Sequence, residues 1–131
     1  MKFVVAYGLA LVVFVLIDLV WLGVVAKDFY RRALGDLIAD PINLKAAVAF
    51  YLIYVVGLVI FGISPALRSG VWTDALLYGA LFGFFCYATY DLTNLATLKN
   101  WPLQLSLVDL AWGTALTGIT ATIAYFGARG F

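Results

Sequence analysis

Four long apolar runs, at about 3–25, 42–63, 74–98 and 103–126, leave this chain little choice of fold. Each matches or exceeds the roughly 20 residues that a helix needs to cross the hydrocarbon core of a bilayer. In lipid the backbone must satisfy its own hydrogen bonds, and within a single segment only a helix does so. The balance of residues agrees, with 66% hydrophobic and 11% charged. A soluble globule is nearer roughly half apolar and a quarter charged. The sequence therefore predicts an all-α polytopic membrane protein, a four-transmembrane-helix bundle forming one domain over 1–131.

The breaks between the runs are short, which implies an up-down-up-down order with a longer connection only after the first span. The first run follows Lys2, and its length and its lack of an Ala-x-Ala-like site argue against a cleaved signal peptide. The one long polar segment is 27–40. Phe29, Ala33, Leu37 and Ile38 fall on one side of it at helical spacing, with Asp28, Arg31, Arg32 and Asp36 largely elsewhere. A short amphipathic helix in the interface fits that pattern, as does a solvated loop with a few apolar anchors. Asp40-Pro41 reads as an N-cap with proline opening the second span, Ser64-Pro65 as its end, and Thr73 as the cap of the third. Lys99-Asn100-Trp101-Pro102 reads as a tight turn into the fourth. Gly79 and Gly83 form one small-residue ridge and Gly113, Thr117 and Ala121 another, both suited to close helix contact. Thr114, Thr120 and Thr122 can bond back to their own helix.

Missing residue types narrow the chemistry. There is no histidine, and all seven acidic residues are aspartates. His-ligated zinc, His-based triads and the Glu-x-x-His di-iron pattern are excluded, so neither metal nor cofactor is expected. Cys86 is the only cysteine and reads as a small packing residue. A net charge of +1 carries no nucleic-acid footprint.

Three of the aspartates sit inside apolar runs: Asp18, Asp91 and Asp109. Each opens an Asp-Leu-x-(Trp or Asn) pattern, completed by Trp21, Asn94 and Trp112. Residues three apart share a helix face. An acid at bilayer depth costs about 2.5–3.5 kcal/mol on insertion scales, which makes it a candidate functional residue.

The up-down order brings these acids together. Asp18 precedes Lys27, Asp91 precedes Lys99 and Asp109 follows Pro102 by similar intervals. At about 1.5 Å per residue, each lies about 10–12 Å inside the same membrane face, here called side B. Tyr51 of the second span reaches the same depth. The expectation is a pocket open toward side B, with an acidic floor and aromatic walls from Trp21, Trp112 and Tyr87. Three ionised carboxylates would repel one another there, so one is protonated or is paired with Lys45 or a bound cation. Trp21 and Trp112 also suit an interfacial aromatic belt, as do Trp72 and Trp101. Side B holds Lys27, Arg31, Arg32, Lys45 and Lys99, against Lys2, Arg68 and Arg129 on the other side. That bias predicts a cytoplasmic side B and periplasmic termini.

The runs Ile17-Asp18-Leu19-Val20-Trp21, Tyr90-Asp91-Leu92-Thr93-Asn94 and Asp109-Leu110-Ala111-Trp112-Gly113 resemble the signature of a bacterial family of inner-membrane proteins grouped as a domain of unknown function. The resemblance spans nearly the whole chain and implies a multi-pass protein of the bacterial inner membrane. It carries no catalytic assignment.

Three functions fit. The first is a protein that binds or processes a small amphipathic or lipid-derived molecule at Asp18, Trp21, Tyr51, Tyr87, Asp91, Asn94, Asp109 and Trp112. The second is a proton- or cation-coupled transporter working as a homodimer. The third is a structural or regulatory partner of a membrane enzyme, with the acids as assembly staples.

Overall fold

The computed structural model describes residues 1–39 and 41–131. Its spans are Lys2–Val25, Leu44–Ser69, Trp72–Thr97 and Leu103–Ala128. Among the described residues there is no strand. The first span is helix α1 (Lys2–Val20) continued by a wide π-helical turn, Trp21–Val25. Helix α2 (Lys27–Leu34) follows outside the spans. The second span joins α3 (Leu44–Leu58), a π-helical turn Val59–Ile63 and α4 (Ser64–Ser69). Helices α5 (Trp72–Thr97) and α6 (Leu103–Ala128) are the third and fourth.

Within the segment after the first span Lys27–Leu34 is a helix, but its apolar face differs from the expected one. The helix stops at Leu34 because Gly35 takes a positive φ of 53°. Leu37 and Ile38, beyond that break, are exposed, and the half-buried face is Phe29, Tyr30, Ala33 and Leu34.

Several helix ends also differ from expectation. Asp40, read as a cap, lies outside the described residues. The cap of α3 is Asn43, whose side chain accepts the Ala46 N–H at 3.1 Å. The second span does not end at Pro65. A proline inside a helix lacks an N–H and crowds the preceding turn. Here the preceding turn is already widened, with the Ser64 N–H bonded to the Val59 carbonyl, and the helix runs on to Ser69. Gly70, at φ 73°, then stops it in the left-handed conformation that suits glycine. Thr73 caps nothing. Ser69 Oγ instead accepts the Val71 N–H at 3.2 Å and donates to Asp74 at 2.6 Å. Pro102 occupies the N-cap position of α6.

The inside-outside pattern is that of a membrane bundle. Large apolar side chains such as Leu16, Ile53, Phe61, Phe85 and Leu107 are exposed. The interior is built from small and hydroxylated residues that let backbones approach. The two predicted small-residue ridges mate with each other. A methyl group added at Gly79 would lie 2.5 Å from the Ala121 Cβ, and one at Gly83 would overlap the Gly113 carbonyl and Thr117. Gly62 of the second span backs onto the same helix, its added Cβ falling 3.2 Å from the Gly79 Cα. The face of α1 turned inward is Ala6, Ala10, Phe14 and Asp18, four apart, and it packs on α6.

The second span meets α5 through its π-helical turn, near the side of the termini, and α3 stands off α5 toward side B. Over residues 44–53 only Ala47 and Tyr51 are even half-buried. A slot therefore opens between these helices on the side B half.

Candidate functional site

The acid positions follow from helix register. Asp18 continues the inward-facing row of α1, Asp91 lies two turns beyond Gly83 on α5, and Asp109 lies one turn before Gly113 on α6. The close-packed ridges that fix these helices also fix the direction of the acids. All three line one cavity of about 440 Å³ on the side B half. Pockets for small ligands run from about 300 to 1,000 Å³.

Its walls come from every span. Leu22 adds to the first, Ala47, Phe50 and Tyr51 come from α3, and Cys86, Tyr87 and Tyr90 come from α5. Trp101 and Leu105 close the side near the last turn, and Tyr30 and Leu34 of α2 form a roof. Phe50 and Tyr90, on opposite rims, are both exposed on the outer surface of the bundle. The cavity is therefore partly open to the outside at these two residues.

The three carboxyl groups are held differently. Asp18 is 5% exposed and accepts two hydrogen bonds, from the Tyr51 hydroxyl at 2.7 Å and the Trp112 indole N–H at 3.1 Å. Asp109 accepts one from the Tyr30 hydroxyl at 2.7 Å, and the Trp21 indole N–H donates to that hydroxyl at 3.2 Å. Asp91 is 0% exposed, and no described N–H or O–H reaches either of its oxygens. The Asp109 carboxyl lines the same cavity. The Asp91 backbone is fixed instead: Ser106 Oγ donates to its carbonyl at 3.0 Å and accepts the Trp101 indole N–H at 2.9 Å.

Among the residues singled out from sequence, Asp18, Tyr51, Tyr87, Asp91 and Asp109 line the cavity. Trp21 and Trp112 do not. Their rings stack at 4.2 Å behind Asp18, where they orient carboxyl groups rather than form walls. Asn94, one turn past Asp91, also lies off the cavity. Lys45 is exposed, and the bonds to Asp18 and Asp109 come from neutral tyrosine and tryptophan donors. Trp101, assigned to a belt, faces the cavity, as does Cys86. Thr114 and Thr122 bond back to their own helix, at 2.8 Å each, whereas buried Thr120 has no partner.

Sequence reasoning missed Tyr30. The signal was present, because Tyr30, Ala33 and Leu34 recur at helical spacing and a tyrosine carries a polar tip on an apolar body. Burial in this roof, against the opposing effect of the Trp21 bond and with the help of nearby Asp109, pushes the Tyr30 phenol well above its ordinary value of 10.0. The hydroxyl stays protonated and acts as a donor to Asp109.

The profile of a family described as predicted membrane protein (DUF2177) matches residues 3–126. No curated protein and no solved structure matches the chain. The chain belongs to the DUF2177 family, and it is a multi-pass membrane protein with four apolar spans.

Proposed function

We propose that this member of the DUF2177 family binds, or binds and processes, a small amphipathic or lipid-derived molecule in the carboxylate-lined cavity. The observation that carries the reading is Asp91: a fully buried carboxyl group, without a donor among the described residues, lining a cavity. Burying a polar group without a partner costs about 1–3 kcal/mol by protein mutational data, a cost that a bound molecule can offset. The polar group of the ligand meets the acids, and its apolar part lies along Phe50, Tyr90 and Leu105 toward the slot.

Asp91 and Asp109 bring two carboxyl groups to one cavity, a pair that acid–base chemistry can use. Asp18, held by two donors, sets the charge around them. The half of the bundle on the side of the termini is filled by Phe14, Leu58, Ile63 and Leu116, each almost fully buried. That plug favours binding over a proton- or cation-coupled homodimeric transporter. A subunit whose acids are assembly staples accounts for Asp18 but not for bare Asp91. The excess of basic residues on side B supports a cytoplasmic side B and periplasmic termini in a bacterial inner membrane.

Native mass spectrometry of gently extracted protein tests the reading. A defined small molecule should leave with the wild type and be lost from Asp91→Asn and Asp109→Asn, both still folded. A wild type carrying only bulk lipid, beside variants that lose only stability or a protein partner, refutes it.

A further inference from the structure

We infer that the molecule taken by this cavity is a protonated amine with an apolar tail. The inference rests on the binding reading above and narrows its ligand class. The first observation is the sign of the site. The ionisable groups closest to its floor are Asp18, Asp91 and Asp109, and among the described residues no lysine or arginine lines the cavity. An anionic headgroup would meet three acids and no counter-charge, so it is excluded by repulsion.

The second observation is what these acids lack. Asp18 has its two neutral donors and Asp109 has Tyr30, but both oxygens of Asp91 are without a donor. The missing partner is a hydrogen-bond donor, not merely an apolar body. An ammonium group has three N–H donors. It can bond Asp91 and Asp109 together, since both carboxyl groups line the cavity. An alcohol has one O–H to give and no charge, and a quaternary ammonium has charge but no N–H.

The third observation is the wall. The Tyr87, Tyr90 and Trp101 rings flank the acids, and aromatic faces attract a desolvated cation. Phe50 and Leu105 continue the apolar surface toward the lipid-facing slot, where a hydrocarbon tail fits and a free, fully polar amine does not.

The test uses the full-length protein in neutral maltoside micelles, titrated with dodecylamine, dodecyltrimethylammonium and dodecanol and followed by tryptophan fluorescence. The wild type should bind dodecylamine saturably and about tenfold or more tighter than the other two, since a hydrogen bond to a charged group is worth about 1.5–3 kcal/mol. Asp91→Asn should lose about tenfold or more for the amine and nothing for the alcohol. Saturable binding of dodecanol as tight as that of the amine would overturn the amine while leaving an amphipath-binding cavity in place. Equal binding of the trimethylammonium compound would overturn the N–H contacts. If none of the three binds saturably, the amine inference and the binding reading fall together. The wild-type comparison stands whether or not the variant folds.

Discussion

The same four helices behave differently at their two ends. On the side of the termini, Gly62, Gly79 and Ala121 let three backbones close on one another, and the space left is filled by Phe14, Leu58 and Ile63. On side B the second span leans away, the helices carry tyrosine, tryptophan and aspartate, and a cavity remains. Two factors explain the contrast. Small residues bring helices together in lipid because packing, not hydrophobicity, drives their association. Bulky aromatic and polar side chains hold them apart, and each polar group then needs a partner. One end of the bundle is closed by packing, and the other keeps a cavity lined by three acids.

The largest effect should come from the tight end. Gly79→Val places its branches against Ala121, the Thr117 carbonyl and Gly118 of α6. Overpacking of this kind costs about 1–3 kcal/mol, and a Cβ only 2.5 Å from that of Ala121 puts it at the upper end. Ala49→Val, on the exposed stretch of α3, should stay within about 0.5 kcal/mol. Unfolding titrations with a denaturing detergent give both values. Losses of equal size would mean that the two halves are packed alike.

A sharper contrast lies inside the loose end. Asp18→Leu strands the Tyr51 hydroxyl and the Trp112 N–H, and losing a buried partner costs about 1–3 kcal/mol. Asp91→Leu strands nothing, because no described donor points at it. It removes a buried unpartnered acid and should raise stability by about 1 kcal/mol. Opposite signs in delipidated protein are the expectation. Two losses of the same size would mean that Asp91 is a staple like Asp18.

Which parts were legible follows from the same contrast. Periodicity and length define the spans, and three acids at one depth are visible by counting residues. The mating of Gly79 and Gly83 with Gly113, Thr117 and Ala121 could be anticipated as ridges but not as partners. Pro65 misled because the compensating wide turn at Val59–Ile63 has no marker in local sequence. Trp21 and Trp112 were misplaced as walls because spacing gives a helix face, not the tilt of one ring against another. Tyr30 was hidden by its neighbours. Arg31, Arg32 and Asp28 make the segment read as surface, and only the folding of α2 over the cavity turns one face of it inward.

Tyr30 also gives the smallest and most local prediction. Its hydroxyl joins the roof to the floor, donating to Asp109 and accepting from Trp21. Tyr30→Phe should cost only about 0.5–1.5 kcal/mol, the net worth of an ordinary hydrogen bond. The loss should be confined to the loose end: hydrogen exchange should quicken over α2 and stay unchanged in the spans. Its pH dependence has a definite sign. Because burial raises the folded-state value of the phenol, the stability it contributes is complete below about its ordinary 10.0 and is lost only as pH rises through the higher folded value. After correction for intrinsic exchange rates, the protection of α2 in the wild type relative to Tyr30→Phe should therefore be flat between about pH 7 and 9. A protection that fades across that window would mean the phenol ionises as a free one does, with no roof closed over the acids. Quickened exchange in the spans as well would mean that Tyr30 belongs to the tight half of the bundle after all.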